Sequence, residues 1–428
     1  MRHVRFAVGL LGGAALVLGV LAAPSAQARP AGSDQVTISI LVTLGNQRAL
    51  DVLIPNFERV YPNVKVDVTY TPGLAVQTQL ETIELAAGNA PDLLYVTPGC
   101  GTPLSVCVLA KAGYLAPLIN KPWTRWSLPL VISLSKSGQG LYTFLTTLGP
   151  QGVFTDDALF RKLGLRVPQT FPQLLALCRQ AKADGTVALV LDGANQGDLA
   201  LDIFDLAATT VYAKDKHWPA ELKAGAVTFD GTPGWHRALQ ELIDMNNAGC
   251  FQPGASGTSE ASAIAQFAQG QGLMIETSAG QKGLIDAAGP QFSYSSFPFP
   301  DATAADRSWT VVAMGTGLGV NAHASPASQA AAQTFIDFLA RPKQDALNAK
   351  IKGTLTQYEF AHQQLQPYMS SFKPLFANHT YVINPGQTFW NPNVLDALHQ
   401  DAVGLLTGQT TVDEILNAMD AAWKQGPA

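Results

Sequence analysis

Between Thr37 and Thr97, short apolar runs rich in β-branched residues alternate with stretches of helical spacing, and this alternation confines the chain to a small set of folds. TISILVTL (37–44) reads as a buried strand. Leu50, Leu53, Ile54, Phe57 and Val60 follow on one helical face, with Pro55 as a point for a kink. Val64, Val66 and Val68 alternate with polar neighbours as a second strand. A helix through Leu80, Ile83 and Leu85 stops at Gly88, a natural left-handed cap, and DLLYVT (92–97) is the third strand. The β-α-β-α-β order dictates parallel strands with right-handed crossovers. Ligands of such sheets sit beyond the carboxyl ends of the strands, here 43–47 and 97–101.

The alternation resumes further on. Helices are expected over 171–183, 235–247 and 261–269, and strands over 187–193 and 272–278. Phe292–Phe299 reads as extended chain leaving one lobe for the other, VAMGTGLGVNAHA as a strand and turn, and Ala330–Leu339 as a helix. Beyond about 344 the pattern is almost wholly helical. At 428 residues the chain exceeds one ordinary core and suits two domains of about 200 each.

Charge narrows the function. Lys and Arg number 27 against 32 Asp and Glu, a net charge of -5 with no basic stripe, which argues against a nucleic-acid partner. With 47% apolar residues the chain can bury large cores, so extensive disorder is excluded. At the N-terminus Arg2, His3 and Arg5 precede an apolar run from Phe6 to Ala23, and Ala26-Gln27-Ala28 follows. A basic region, an apolar region and an A-x-A site read as a secretory signal over 1–28, with cleavage near Ala28 favoured over retention of the apolar run as an anchor. No cysteine follows closely enough to take a lipid, so the expected location is extracytoplasmic without a lipid anchor.

Export favours disulfides. The four cysteines allow three connectivities, of which Cys100 with Cys107, inside one loop, and Cys178 with Cys250, near two helix ends, is favoured. The sequence holds no G-x-S-x-G elbow, no H-E-x-x-H and no phosphate loop. GTGLG (315–319) lacks dinucleotide-fingerprint spacing, and the seven histidines are scattered, so neither a cofactor nor a metal is expected. A glycosidase carboxylate pair follows no local spacing rule, and Asp198, Asp202, Asp205 and Glu276 read most simply as surface or capping groups.

LAAGNAPDLLYV, KAGYLAPL, GVFTDDALFRKLGLRVPQTFPQLLALC and GLGVNAHASPASQAAAQTFIDFLA, in that order, resemble bacterial extracellular solute-binding proteins of the maltose-binding type. The resemblance runs from about Thr37 to Trp423. It implies an α/β, type II-like periplasmic-binding-protein fold: two lobes, each a mixed, mostly parallel sheet flanked by helices, joined by crossing hinge strands. The lobes expected are 33–148 with 297–343 and 149–296 with 344–428. The implied function is that of a monomeric receptor for an ABC importer, closing on a neutral mono- or oligosaccharide between the lobes and presenting it to the permease without catalysis. Another cargo (a glycerophosphodiester, an amino sugar or a peptide) and, less favoured, a secreted carbohydrate-active enzyme are the alternatives.

Carried over position by position, the resemblance nominates Asn46 and Gln47 after the first strand, Thr97 and Gly99 after the third, and Gln151 at the crossing. It adds Asn195, Gln196 and Asp198 after VALVLDG, and Trp390 in TFWNPNV as a stacking ring. Trp309 lies near an expected crossing strand, and Trp123 and Trp126 flank a loop at the rim. Each has a plainer reading: Asn46 and Gln47 as helix caps, the tryptophans as core. Phe154-Thr155-Asp156 stands where the family often has Tyr-Asn-Lys. Thr277 and Ser278, with Ala279, replace a common aromatic after GLMIETS, which weakens the case for maltose itself. Few charges lie near the nominated loops, in keeping with an uncharged polyhydroxyl ligand.

Overall fold

The first three strands, β1 (Val36–Thr43), β2 (Val64–Thr71) and β3 (Leu93–Val96), are joined by α1 (Gln47–Val60) and α2 (Leu74–Ala87). β1 pairs in parallel with both of its neighbours. α1 continues through Pro55 and buries Ala49, Leu50, Leu53 and Phe57. α2 stops where Gly88 turns left-handed, at φ 73°. The computed structural model describes residues 35–426, apart from 147, 195, 301, 302, 304–307, 316, 359–364 and the side chains of 75 and 196–198. The leader expected at 1–28, Asn195, and the side chains of Gln196 and Asp198 therefore lie outside the described residues.

Two short strands follow, β4 (Leu115–Ala116) and β5 (Thr143–Leu145), and then β6 (Leu148–Asp156), which is buried throughout. Next come α3 (Phe171–Ala183), β7 (Val187–Val190), α4 (Gln196–Ala207), α5 (Pro233–Ala248) and α6 (Glu260–Ala268). β8 (Gly272–Ser278), α7 (Lys282–Ala287), β9 (Tyr294–Phe297), β10 (Thr310–Met314) and β11 (Gly317–Asn321) lead to α8 (Pro326–Leu339) and α9 (Pro342–Lys352). The C-terminal part holds β12 (Tyr381–Ile383), α10 (Pro392–Thr407) and α11 (Val412–Gln425).

The strands form two six-stranded sheets, ordered β2-β1-β3-β11-β4 with β5 on β11, and β12-β10-β6-β8-β7 with β9 on β6. In the first sheet only β11 runs against the other strands, and in the second only β6 does. These two are the strands that the chain enters directly from a strand of the opposite sheet, with no helix between; β12, reached from the first sheet through α8 and α9, runs parallel to β10. A crossing strand arrives from the far side, so it points the other way from the strands laid down by β-α-β crossovers. Helices cover both sheets, and each has its own core: Phe57, Phe335 and Phe338 in the first, and Phe204, Trp218, Trp235 and Trp390 in the second.

Three segments sit differently from the sequence expectation. Thr310–Met314, within the stretch assigned to the first lobe, is a strand of the second sheet, pairing with β6 and β12. Tyr294–Phe297 does not cross either; it pairs antiparallel with β6. The C-terminal region is not purely helical, because Tyr381–Ile383 extends the second sheet alongside β10. Both expected disulfides, Cys100–Cys107 and Cys178–Cys250, are present.

Candidate functional site

The carboxyl ends of β1, β2 and β3 open on the same space as those of β8, β10 and β12. Thr43 ends β1, Pro72 and Thr97 follow β2 and β3, and Ser278, Met314 and Asn384 end or follow the others. All six line one cleft enclosing about 1500 Å³, part of it open to solvent. The parallel strands of both sheets bring their ends together because each crossing strand hands the chain from one sheet to the other at this point.

The nominated residues divide. Asn46, Thr97 and Ser278 line the cleft. Asn46 does not cap α1 through its side chain; its amide donates to the carbonyl and hydroxyl of Thr43 at 3.2 and 2.9 Å, and its oxygen accepts from Lys352 Nζ at 2.7 Å. Thr97 and Thr102 hydroxyls are 2.5 Å apart. No side-chain hydrogen bond engages Ser278 among the described residues. Gln47 is exposed and off the lining, since the helix turns it outward.

The others serve the fold. Gly99 is a close-approach position: a Cβ there would lie 1.8 Å from the carbonyl oxygen of Gln387, and one at Gly101 1.7 Å from that of Gly386. The loop after β3 thus meets the loop after β12 backbone to backbone. Gln151 is 0% exposed within β6, and neither atom of its amide has a hydrogen-bond partner among the described residues. Thr277 is buried, on the opposite face of β8 from Ser278. Trp309 is half-buried, its backbone N–H donating to Thr209 Oγ1 at 3.1 Å and its ring under Lys216. Trp123 is buried and donates to Asp337 at 3.1 Å, while Trp126 is exposed under Arg125.

Trp390 corrects the stacking expectation. It is 2% exposed and packs edge-on against Phe204 and Phe229, at centroid distances of 4.9 and 5.2 Å, with Trp235 at 5.6 Å. Its Asn391-Pro392-Asn393 neighbours do not form an open loop. Asn391 caps α10, accepting from the Val394 N–H at 3.1 Å, and this drives the indole into the core.

Charged groups that the sequence did not single out also reach the cleft: Glu260 at the start of α6, Lys352 at the end of α9, and His399 on α10. Burial pulls the Lys352 ammonium down to about 8 against the opposing field of Asp345, and burial pushes Asp345 up to about 7. His399 is pushed down to about 4 by burial and so is neutral at pH 7. Gln281 donates to Glu260. The strand-end rule applied to β8 reaches Ser278–Gln281 directly. Asn384 had no such signal, because its three-residue strand is hidden in a helical stretch.

This two-lobe arrangement, with a cleft where strand ends of both sheets converge, is the type II-like solute-binding fold. Residues 43–346 match the family described as bacterial extracellular solute-binding protein, and the chain belongs to that family. It is 25% identical over 307 residues to a multiple sugar-binding protein of Streptococcus mutans serotype c (strain ATCC 700610 / UA159), covering 68% of this chain and 69% of that one. Among solved structures, the solute-binding protein RafE in complex with raffinose matches with a TM-score of 0.73 and 20% identity, over 92% of this chain and 100% of that one. A chitin oligosaccharide binding protein matches with a TM-score of 0.76 and 18% identity, over 91% and 98%.

Proposed function

We propose that this protein is the extracytoplasmic receptor of an ABC importer, taking a carbohydrate into the cleft between its lobes and presenting it to the permease as a monomer, without making or breaking a bond. The observation that carries the reading is the convergence of six strand ends, three from each sheet, on one cleft. A solute touching both lobes favours the closed form by its differential affinity, which is the state a permease distinguishes. The family match and the sugar-binding relatives support carbohydrate as the cargo. Asn46, Thr97 and Ser278 are its proposed contacts, with Gln281 and Asn384 added.

The two short strand-to-strand links between the sheets, from Leu145 to Leu148 and from Met314 to Gly317, are the proposed hinge. Lobe limits follow the sheets, so Thr310–Met314 goes with the second. Residues 1–28 are the proposed export signal. A thermal-shift screen tests the cargo: raffinose, chito-oligosaccharides, xylo-oligosaccharides and maltotriose are compared with a glycerophosphodiester and a peptide mixture. At least one saccharide is expected to raise Tm and to be recovered uncut. A response confined to the non-saccharides, or cleavage of the sugar, rejects the reading.

A further inference from the structure

One wall of the cleft is apolar, and its accessible part is aliphatic. Leu201 and Phe204 come from α4, Leu395 from the adjoining α10, Met314 from the end of β10 and Leu284 from α7. Leu74 joins the lining from the first lobe with 47% of its surface exposed. Among the described residues, the two six-membered aromatic rings of the lining are nearly sealed: Phe204 is 1% exposed, edge-on to Trp390, and Tyr95 is 5% exposed. Neither presents an open face for stacking on a pyranose.

Much of the polar lining is already engaged. Asn46 is held between Lys352 and Thr43, Thr97 pairs with Thr102, and Gln387 bonds both backbone groups of Met314. A sugar hydroxyl laid on the aliphatic wall would give up its water and gain no partner. After β8, Ser278 lies beside the Gln281–Glu260 pair, and these polar groups face the cleft together with the contacts proposed above.

We propose that the solute is an amphipathic glycoside, its sugar on the Ser278–Gln281–Glu260 side and an apolar aryl or alkyl aglycone on the wall of Leu201, Leu284 and Leu395, which are all partly exposed. This rests on the reading of the cleft as a carbohydrate site. These leucine side chains still expose apolar surface to the cleft, and burying it supplies the affinity that an open ring would otherwise supply by stacking.

Calorimetric titration of the purified protein with methyl and p-nitrophenyl glycosides tests this, using both anomers of galactose, glucose, xylose and N-acetylglucosamine. For the accepted sugar the aryl glycoside is expected to bind at least tenfold tighter than the methyl one. Leu201→Ser should abolish that gain and leave the methyl glycoside within twofold; Leu395→Ser provides the same comparison if the first variant does not fold. Equal affinity for methyl and aryl glycosides overturns the inference and leaves the carbohydrate reading standing. Silence towards every glycoside, raffinose and chito-oligosaccharides, or equally tight binding of free p-nitrophenol, overturns both.

Discussion

Trp390 shows how one side chain can look functional in sequence and prove structural. A tryptophan beside Asn-Pro-Asn has a loop's composition, but that composition equally starts a helix, and here Asn391 does so. Trp390→Ala is expected to cost about 3–5 kcal/mol through the cavity it leaves. Saccharide affinity of the folded fraction should not change, and denaturant melts alongside titrations separate the two effects. Glu81 carries a pH signature. It is 0% exposed in α2, and burial pushes it up to about 8 against the opposing donors, Gln77 and the Tyr95 backbone. The unfolded carboxyl binds fewer protons than the folded one between 4.5 and about 8, so stability falls as pH rises through that window. Glu81→Gln should remove a slope of about 1.4 kcal/mol per pH unit there, measured as Tm between pH 5 and 8. An unaltered pH profile would show that the carboxyl is ionised in the folded state. Asn46, Thr97 and Ser278 were legible because strand ends locate loops; Gly99 was not, because its partner backbone lies almost 290 residues away.

Elements with a full hydrophobic period were read almost to the residue. Phe171–Ala183 and Gly272–Ser278 have the limits that their apolar spacing sets. Tyr381–Ile383 escaped, since three residues hold no period and only the exposed edge of β10 makes them a strand. The two disulfides join elements at very different range. Cys178 in α3 meets Cys250 just beyond α5, across 72 residues, whereas Cys100 and Cys107 close a loop of 7. In the chain-entropy model the long bridge contributes about 4 kcal/mol and the short one about 2.5. Replacing Cys178 and Cys250 together by Ser is therefore expected to lower stability more than replacing Cys100 and Cys107, as urea melts would show. The reverse order would mean that the long bridge joins parts already held by packing.

At the scale of the whole molecule, a few contacts join the two lobes, and the proposed closure can be tested through them. The loop after β3 rests on the loop after β12, Leu284 packs 3.7 Å from where a Cβ of Gly45 would stand, and Arg48 pairs with Asp286 at 3.1 Å. The ion pair is exposed and contributes little, so the glycine contact is the more sensitive probe. Gly101→Ala puts a methyl on the carbonyl of Gly386 and should hold the lobes apart. Saccharide affinity is expected to fall tenfold or more, about 1.4 kcal/mol, with a larger radius of gyration for the liganded protein by small-angle scattering. Wild-type affinity in this variant would place closure elsewhere. The sequence by itself determined the alternation of strands and helices and the family, because hydrophobic period, turn residues and motif order are local properties; it favoured one of three cysteine pairings, and the tertiary structure selected it. Only the tertiary structure decided which strands reverse, which tryptophan is core and which side chains line the cleft. Those depend on contacts between segments hundreds of residues apart, and no local pattern encodes which face a distant neighbour will cover.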